Sequence, residues 1–403
     1  MYTRNFYLDR IKSFIKKPVI KVITGMRRVG KSYFLRQIIE LLRQQGVPGE
    51  NILYIDKEQL DFDFIRDYHH LDKYIQEQFS LITGDKYLFV DEIQDIEQWE
   101  KTINSILNKG GCDIYITGSN AHLLSSELAT LISGRYIEFP IYTLSFKEFL
   151  QFRGDKKKEP LSEFQNYIRF GGLPALHHFD LIEDVVYQYL KSVYDTILLK
   201  DIIKRNNIRN VHLLEDINKY LFDNIGNIFS SKRVSDYLKS QMLNVGVDTV
   251  QNYIGYLLST FAAYKVQRYD IKGKRILEIH EKYFAGDVGI RHALLSYKEA
   301  EITGVLENLV FLELKRRNYA IYIGRLGDRE IDFIAEKEGK RIYIQVAYLL
   351  AAAEVVEREF TPLQQVKDNY PKYVLSMDTL WGNDYEGIKR MNLMDFLLSD
   401  EFA

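Results

Sequence analysis

Residues Gly25-Met26-Arg27-Arg28-Val29-Gly30-Lys31-Ser32 match the spacing G-x-x-x-x-G-K-[ST]. Glycines at those two positions let backbone N–H groups turn inward around a β-phosphate, at a helix N-terminus that already favours anions. In this reading Lys31 bridges the β- and γ-phosphates and Ser32 holds Mg²⁺. Asp91-Glu92 closes the apolar run Lys86-Tyr87-Leu88-Phe89-Val90. Asp91 would support Mg²⁺ through its water shell and Glu92 would polarise an attacking water. A third strand, Asp113-Ile114-Tyr115-Ile116-Thr117, runs into Gly118-Ser119-Asn120. Asn120 or Ser119 could orient that water, although both types also suit a turn or an N-cap. Arg135, in Ser133-Gly134-Arg135-Tyr136-Ile137-Glu138-Phe139, could reach a γ-phosphate held by a neighbouring subunit. Its alternative is an ion pair with an acid on its own surface.

These side chains need a scaffold, and the flanking sequence supplies one. Val19–Thr24 (VIKVIT) is a β-branched run of the kind buried in parallel sheets. After Ser32 the run YFLRQIIELLRQQG has helical period and stops at Gly46. Strand, glycine loop and helix form the context that a phosphate loop requires.

At 403 residues, two or three domains are expected. The charge of -2 gives no global attraction to nucleic acid or acidic membranes, so any basic surface must be local. The single cysteine, Cys112, excludes an intrachain disulfide and a four-cysteine zinc site. With no signal-like N-terminus and no run of about 18 apolar residues, a soluble cytoplasmic protein without membrane spans is expected.

Together these stretches resemble the AAA+ ATPases. Within them the chain is similar to a bacterial and archaeal family pairing an N-terminal AAA+ module with a C-terminal domain of unknown function. The matching elements are GMRRVGKS, YLFVDEIQDIEQWE, YITGSNAHLLSSELA, SGRYIEF with LSFKEFL, and Phe170-Gly171-Gly172-Leu173-Pro174. Gly304–Val310, Glu330-Ile331-Asp332-Phe333 and Ile344-Gln345-Val346-Ala347-Tyr348 continue the match. The resemblance implies ATP rather than GTP, a homo-oligomer that could be a hexamer, and a helical lid opening at Phe170–Pro174.

From Phe229 the pattern is helix (SSKRVSDYLKSQ), turn, helix (VDTVQNYIGYLLSTFAAYKV), then a hairpin with a basic tip at 267–277. That order predicts a winged helix, with Asp248 capping the second helix and Thr249, Gln251, Asn252 and Tyr253 at its front. Residues 228–282 carry nine Lys/Arg against five acids. The DNA-contact candidates are Lys232, Arg233, Thr249, Gln251, Asn252, Lys272, Lys274 and Arg275, although winged helices also serve as packing modules.

The last third resembles the PD-(D/E)XK nuclease fold. Glu307 and Asp332 stand where that family has a helix glutamate and a strand aspartate. Gln345-Val346-Ala347 stands in place of E-x-K, removing a metal carboxylate and the lysine. Cleavage is therefore not expected, and a binding platform is.

The predicted fold class is α/β: an AAA+ parallel sheet over 1–150, a helical lid and connector over 151–222, a winged helix over 223–285, and a restriction-endonuclease-like domain over 286–403. The expected function is a Mg²⁺-dependent, oligomeric ATPase coupling hydrolysis to DNA binding, translocation or remodelling. The alternative is an ATP-controlled switch acting on a protein partner, with slow hydrolysis.

Overall fold

The computed structural model describes residues 2–121, 134–379, 382 and 384–399. The whole HLLSSELA stretch, residues 122–129, and Ser133 lie outside the described residues. The chain divides into two compact units, residues 1–141 with 259–261, and residues 142–258 with 262–403.

In the first unit, α1 (Asn5–Lys12) precedes β1 (Ile20–Thr24) and α2 (Lys31–Gln44). There follow β2 (Ile52–Asp56), α3 (Tyr68–Phe79), β3 (Lys86–Asp91), α4 (Trp99–Lys109), β4 (Cys112–Gly118) and β5 (Tyr136–Pro140). The strands form one parallel sheet in the order β2-β3-β4-β1-β5. β1, β3 and β4 lie at its centre with both faces covered, so they read as continuous apolar runs. Around them pack Ile20, Val22, Leu88, Val90, Ile114 and Ile116. One residue breaks that pattern: Lys21 is fully buried, pairs with Asp113 on β4, and donates to the Lys17 carbonyl at 3.0 Å. Asp113 also accepts the Tyr115 hydroxyl at 2.8 Å, so this buried charge pair is satisfied on both sides.

The second unit begins with helices at Phe146–Arg153, Pro160–Phe170 and Glu183–Thr196, a π-helical stretch at Ile197–Lys204, and a helix at Val211–Asp223. Gly171, after the second of these, has φ 76°, and a Cβ there would lie 2.2 Å from Asp287 Oδ1. Asp287 caps the helix Val288–Leu295 and accepts the Gly172 amide at 2.8 Å. The Phe170–Pro174 glycines are thus required by close packing within this unit.

The helix Ser231–Ser240 occupies its expected place, whereas the helix from Val247 stops at Ser259 and residues 263–266, expected as its end, run as strand. Asp248, however, does not cap the second one. The helix starts at Val247, so Asp248 lies in the first turn, where its charge faces the positive end of the helix dipole. The hairpin that follows, β6 (Ala263–Asp270) and β7 (Arg275–Ala285), also departs from expectation. It is the edge of an eight-stranded sheet rather than a separate wing. The sheet includes β8 (Ala320–Leu326), β9 (Arg329–Lys337), β10 (Lys340–Val346), β11 (Lys372–Ser376), β12 (Asp384–Tyr385) and β13 (Ile388–Asn392). β6 joins it through parallel pairing with β8, Arg268 opposite Ile323 and Asp270 opposite Arg325. The physical cause is apolar burial. Phe284 on β7 stacks on Phe311 of the helix Ile302–Arg316 at 4.5 Å, and Val266 on β6 is in the same core. A boundary at 285/286 therefore crosses a continuous sheet and core.

Candidate functional site

The loop between β1 and α2 is shaped by residues that tolerate left-handed backbone. Gly25 has φ 146°, and a Cβ there would lie 2.2 Å from the Ile141 carbonyl oxygen, so only glycine fits. Gly30 has φ 97° at the N-cap of α2, and Arg28 has φ 69°. Two arginines brace the loop, Arg27 from within it and Arg4 from α1's N-terminus. Arg27 Nη1 donates to Glu58 Oε1 at 2.8 Å. Arg4, buried beside Tyr7, donates Nη1 to the Val29 carbonyl at 3.2 Å and its amide to Gln37 Oε1 at 3.1 Å. Arg4 was not legible as a site residue, because nothing near it in sequence resembles a motif.

Lys31 opens α2 and bends back over the loop. Its Nζ donates to the carbonyls of Gly25 at 3.1 Å and Met26 at 3.3 Å, and lies 3.5 Å from Glu92 Oε1. Across from it, Asp91 ends β3 and is nearly fully buried. Its carboxylate accepts the Thr117 hydroxyl from β4 and the Tyr54 hydroxyl from β2 at 3.0 Å. Burial pushes Asp91 above the usual carboxylate range, while hydrogen bonds from Thr117, Ser32 and Tyr54 oppose that rise. Glu92 has φ 52°, which turns the chain out of the strand, and its amide donates to Thr117 Oγ1 at 2.9 Å. Burial would raise the Glu92 carboxyl too. Lys31, the Gln94 amide, Arg27 and Ser119 outweigh it and hold the group below its ordinary value, as a carboxylate.

Lys31, Ser32, Asp91, Glu92 and Ser119 are thus brought together, with Asn120 buried beside Ser119 at the end of β4. Glycine backbone and an ammonium suit phosphate, and the Ser32 hydroxyl with the Asp91 carboxylate is an oxygen donor set suited to Mg²⁺. Arg135 is placed differently. Its guanidinium bonds Asn104 Oδ1 at 2.7 Å and Asn108 Oδ1 at 2.8 Å on α4, two amides instead of the acid considered as its alternative.

A family model described as an AAA domain matches residues 17–150, and a domain of unknown function (DUF8612) matches residues 161–301. An uncharacterised protein of Haemophilus influenzae is 37% identical over 402 residues, covering 99% of each chain. The chain belongs to this family of AAA-domain proteins. An uncharacterised protein of Methanocaldococcus jannaschii is 31% identical over 389 residues, covering 93% of this chain and 85% of that one. Among solved structures, the Aeropyrum pernix ORC1 protein in complex with DNA aligns with a TM-score of 0.34 at 11% identity, over 73% of this chain and 92% of that one. A DNA polymerase III gamma subunit-related protein of Thermotoga maritima gives 0.29 at 14% identity, over 63% and 99%.

Outside the AAA domain, the acids read from sequence as a nuclease remnant surround a lysine. Lys282 on β7 places Nζ 2.5 Å from Glu330 Oε1 and 3.9 Å from Glu307 Oε2. Burial pushes Asp332 up to about 7, with Lys282 opposing, and Glu307 is also raised by burial. Gln345 accepts the Asp332 amide at 2.7 Å and donates to Glu359 at 2.9 Å, which ties β9 to the helix Ala353–Gln364. Among the described residues, no group of three or more His, Cys, Asp or Glu is arranged to hold a metal. Lys282 was missed because it lies on the hairpin assigned to a different domain.

Of the DNA-contact candidates, Lys232, Arg233, Gln251, Asn252, Lys272, Lys274 and Arg275 are exposed, and Thr249 is half-buried.

Proposed function

We propose that this protein is a Mg²⁺-dependent ATPase, acting as a homo-oligomer and coupling hydrolysis to work on DNA. The observation that carries the ATPase reading is the meeting of Lys31 and Glu92 across a glycine loop, beside the anchored Asp91. Loop amides and Lys31 would bind the phosphates, and Ser32 and Asp91 would hold the cation. Mg²⁺, when bound, supplies positive charge against the phosphate oxygens. Glu92, kept ionised, would accept a proton from water, with Ser119 or Asn120 orienting that water. Arg135, near the subunit surface, would act on a neighbouring subunit's γ-phosphate. The DNA half rests on the exposed basic residues of the second unit.

A second reading, an ATP-controlled switch with slow turnover, is favoured by two contacts. Gln94 and Lys31 both hold the Glu92 carboxylate that catalysis needs free. Steady-state hydrolysis with no DNA, duplex, single strands and a four-way junction separates the two, with Glu92→Gln as control. Stimulation by one DNA form, lost in the variant, supports the coupled ATPase. Hydrolysis indifferent to every DNA supports the switch. No hydrolysis beyond the Glu92→Gln level under any condition would reject the ATPase.

A further inference from the structure

Parallel pairing of β6 with β8 sets Asp270 opposite Arg325, and the Ile271 amide donates to the Arg325 carbonyl at 3.0 Å. Two turns that are 50 residues apart in sequence therefore lie side by side: the β6–β7 turn over 270–275 and the β8–β9 turn over 326–329. A Cβ placed on Gly327 would lie 3.9 Å from Lys272 Nζ, so the tips themselves are adjacent. Lys272, Lys274, Arg275, Arg325 and Arg329 are all exposed on this pair of turns. Among the described residues none of the five is in an ion pair. Against them stand Asp270, Asp328 and Glu330, the cross-strand partner of Arg325, leaving an excess of two positive charges, and Glu330 is itself paired with Lys282. Asp270 is committed to the turn, accepting the Gly273 amide at 3.1 Å, and Arg325 is steadied by a bond from Nε to the Gly327 carbonyl at 3.1 Å.

We propose that these two turns form one ridge that contacts the phosphate backbone of duplex DNA. The inference rests on the DNA reading above and deepens it. Contact narrows from the helices and the hairpin tip to the tip alone and the turn beside it, at the ends of the strands, and it recruits Arg325 and Arg329, which no sequence pattern marked. Five exposed cations gathered on two adjacent turns suit a polyanion with closely spaced charges. Tight turns braced by their own bonds fix the backbone from which those side chains extend, so less of the chain must be ordered on binding. The ridge carries no base-reading arrangement, and the binding it gives is sequence-independent.

The test is fluorescence anisotropy of the full-length protein with a labelled duplex over a salt series. The variants are Arg325→Ala/Arg329→Ala, the charge-keeping Arg325→Lys/Arg329→Lys, and Lys232→Ala/Arg233→Ala on the helix. The alanine ridge variant is expected to bind more weakly at every salt concentration. Its log–log salt slope should be shallower by about 2, since each phosphate contact contributes about 0.9. The lysine variant should keep the wild-type slope, and a thermal midpoint matching wild type shows that the alanine variant is folded. If wild type binds duplex and the alanine ridge variant binds equally well, the ridge is overturned while the DNA reading stands. If wild type binds no duplex at low salt, both fall.

Discussion

Lys31 and Glu92 form a buried ion pair at 3.5 Å, and Lys31 is also bonded to two carbonyls of its own loop. Incoming phosphate competes with Glu92 for that ammonium. Glu92→Gln removes the competing charge, so nucleotide should bind at least as tightly while turnover falls about 100-fold or more. Titration with a fluorescent ATP analogue and a phosphate-release assay read the two effects separately. Unchanged turnover would remove Glu92 from the chemistry.

Arg135 is tied to Asn104 and Asn108 of its own chain. If it serves a neighbour's nucleotide, Arg135→Ala and Glu92→Gln proteins should each be inactive alone. Mixed together, they should regain part of the wild-type hydrolysis, because some interfaces then pair an intact Glu92 with an intact Arg135. A mixture no more active than its parts would place Arg135 outside trans catalysis.

Lys282 is the cation that Glu330, Glu307 and Asp332 share. Lys282→Met should destabilise the protein by about 3–5 kcal/mol near neutral pH, because buried carboxylates lose their countercharge. The loss should shrink in acid as those groups protonate. Asp332 adds a pH slope of its own. The folded chain keeps this proton up to about 7, whereas the ordinary carboxyl releases it near 3.8. The folded state binds more protons between those values, so its stability falls as pH rises through them. Urea midpoints at pH values inside and above that window should differ less in Asp332→Asn than in wild type. Identical slopes in the two proteins would contradict the burial account.

Gly110 and Gly171 have nearly the same backbone conformation, φ 71° and ψ -178° against φ 76° and ψ -164°. A Cβ at Gly110 meets nothing within 4 Å, whereas one at Gly171 strikes Asp287. Gly110→Ala should therefore cost about 1–3 kcal/mol for backbone strain alone. Gly171→Ala should cost more, since Asp287 must also give up its hydrogen bonds to the Gly172 and Gly289 amides. Equal shifts in denaturation midpoint would show that Asp287 moves aside freely.

The phosphate loop and the two acids were legible in the sequence because their chemistry is local. Gly25 and Gly30 set a backbone shape, Lys31 and Ser32 follow within two residues, and Asp91-Glu92 must end a strand. The sheet order β2-β3-β4-β1-β5, by contrast, brings Tyr54 and Thr117 to Asp91 from strands on either side. Neither residue belongs to a contiguous pattern with it. Arg4 reaches Val29 in the same non-local way.

In the second unit the sequence determined where most helices and strands run, since their periodicities are written residue by residue, but residues 263–266 read as helix and form strand. Tertiary structure decided what the hairpin 263–285 belongs to. Its apolar residues Val266 and Phe284 lie outside the 267–277 hairpin that the sequence pattern marks, and both join the sheet's core. Only the surface offered by Phe311 and the pairing edge of β8 selects between a free wing and a sheet edge. That choice carried Lys282 into the acids and set Lys272 beside Gly327. Contacts between distant segments depend on which faces find each other, and spacing along the chain holds no record of that.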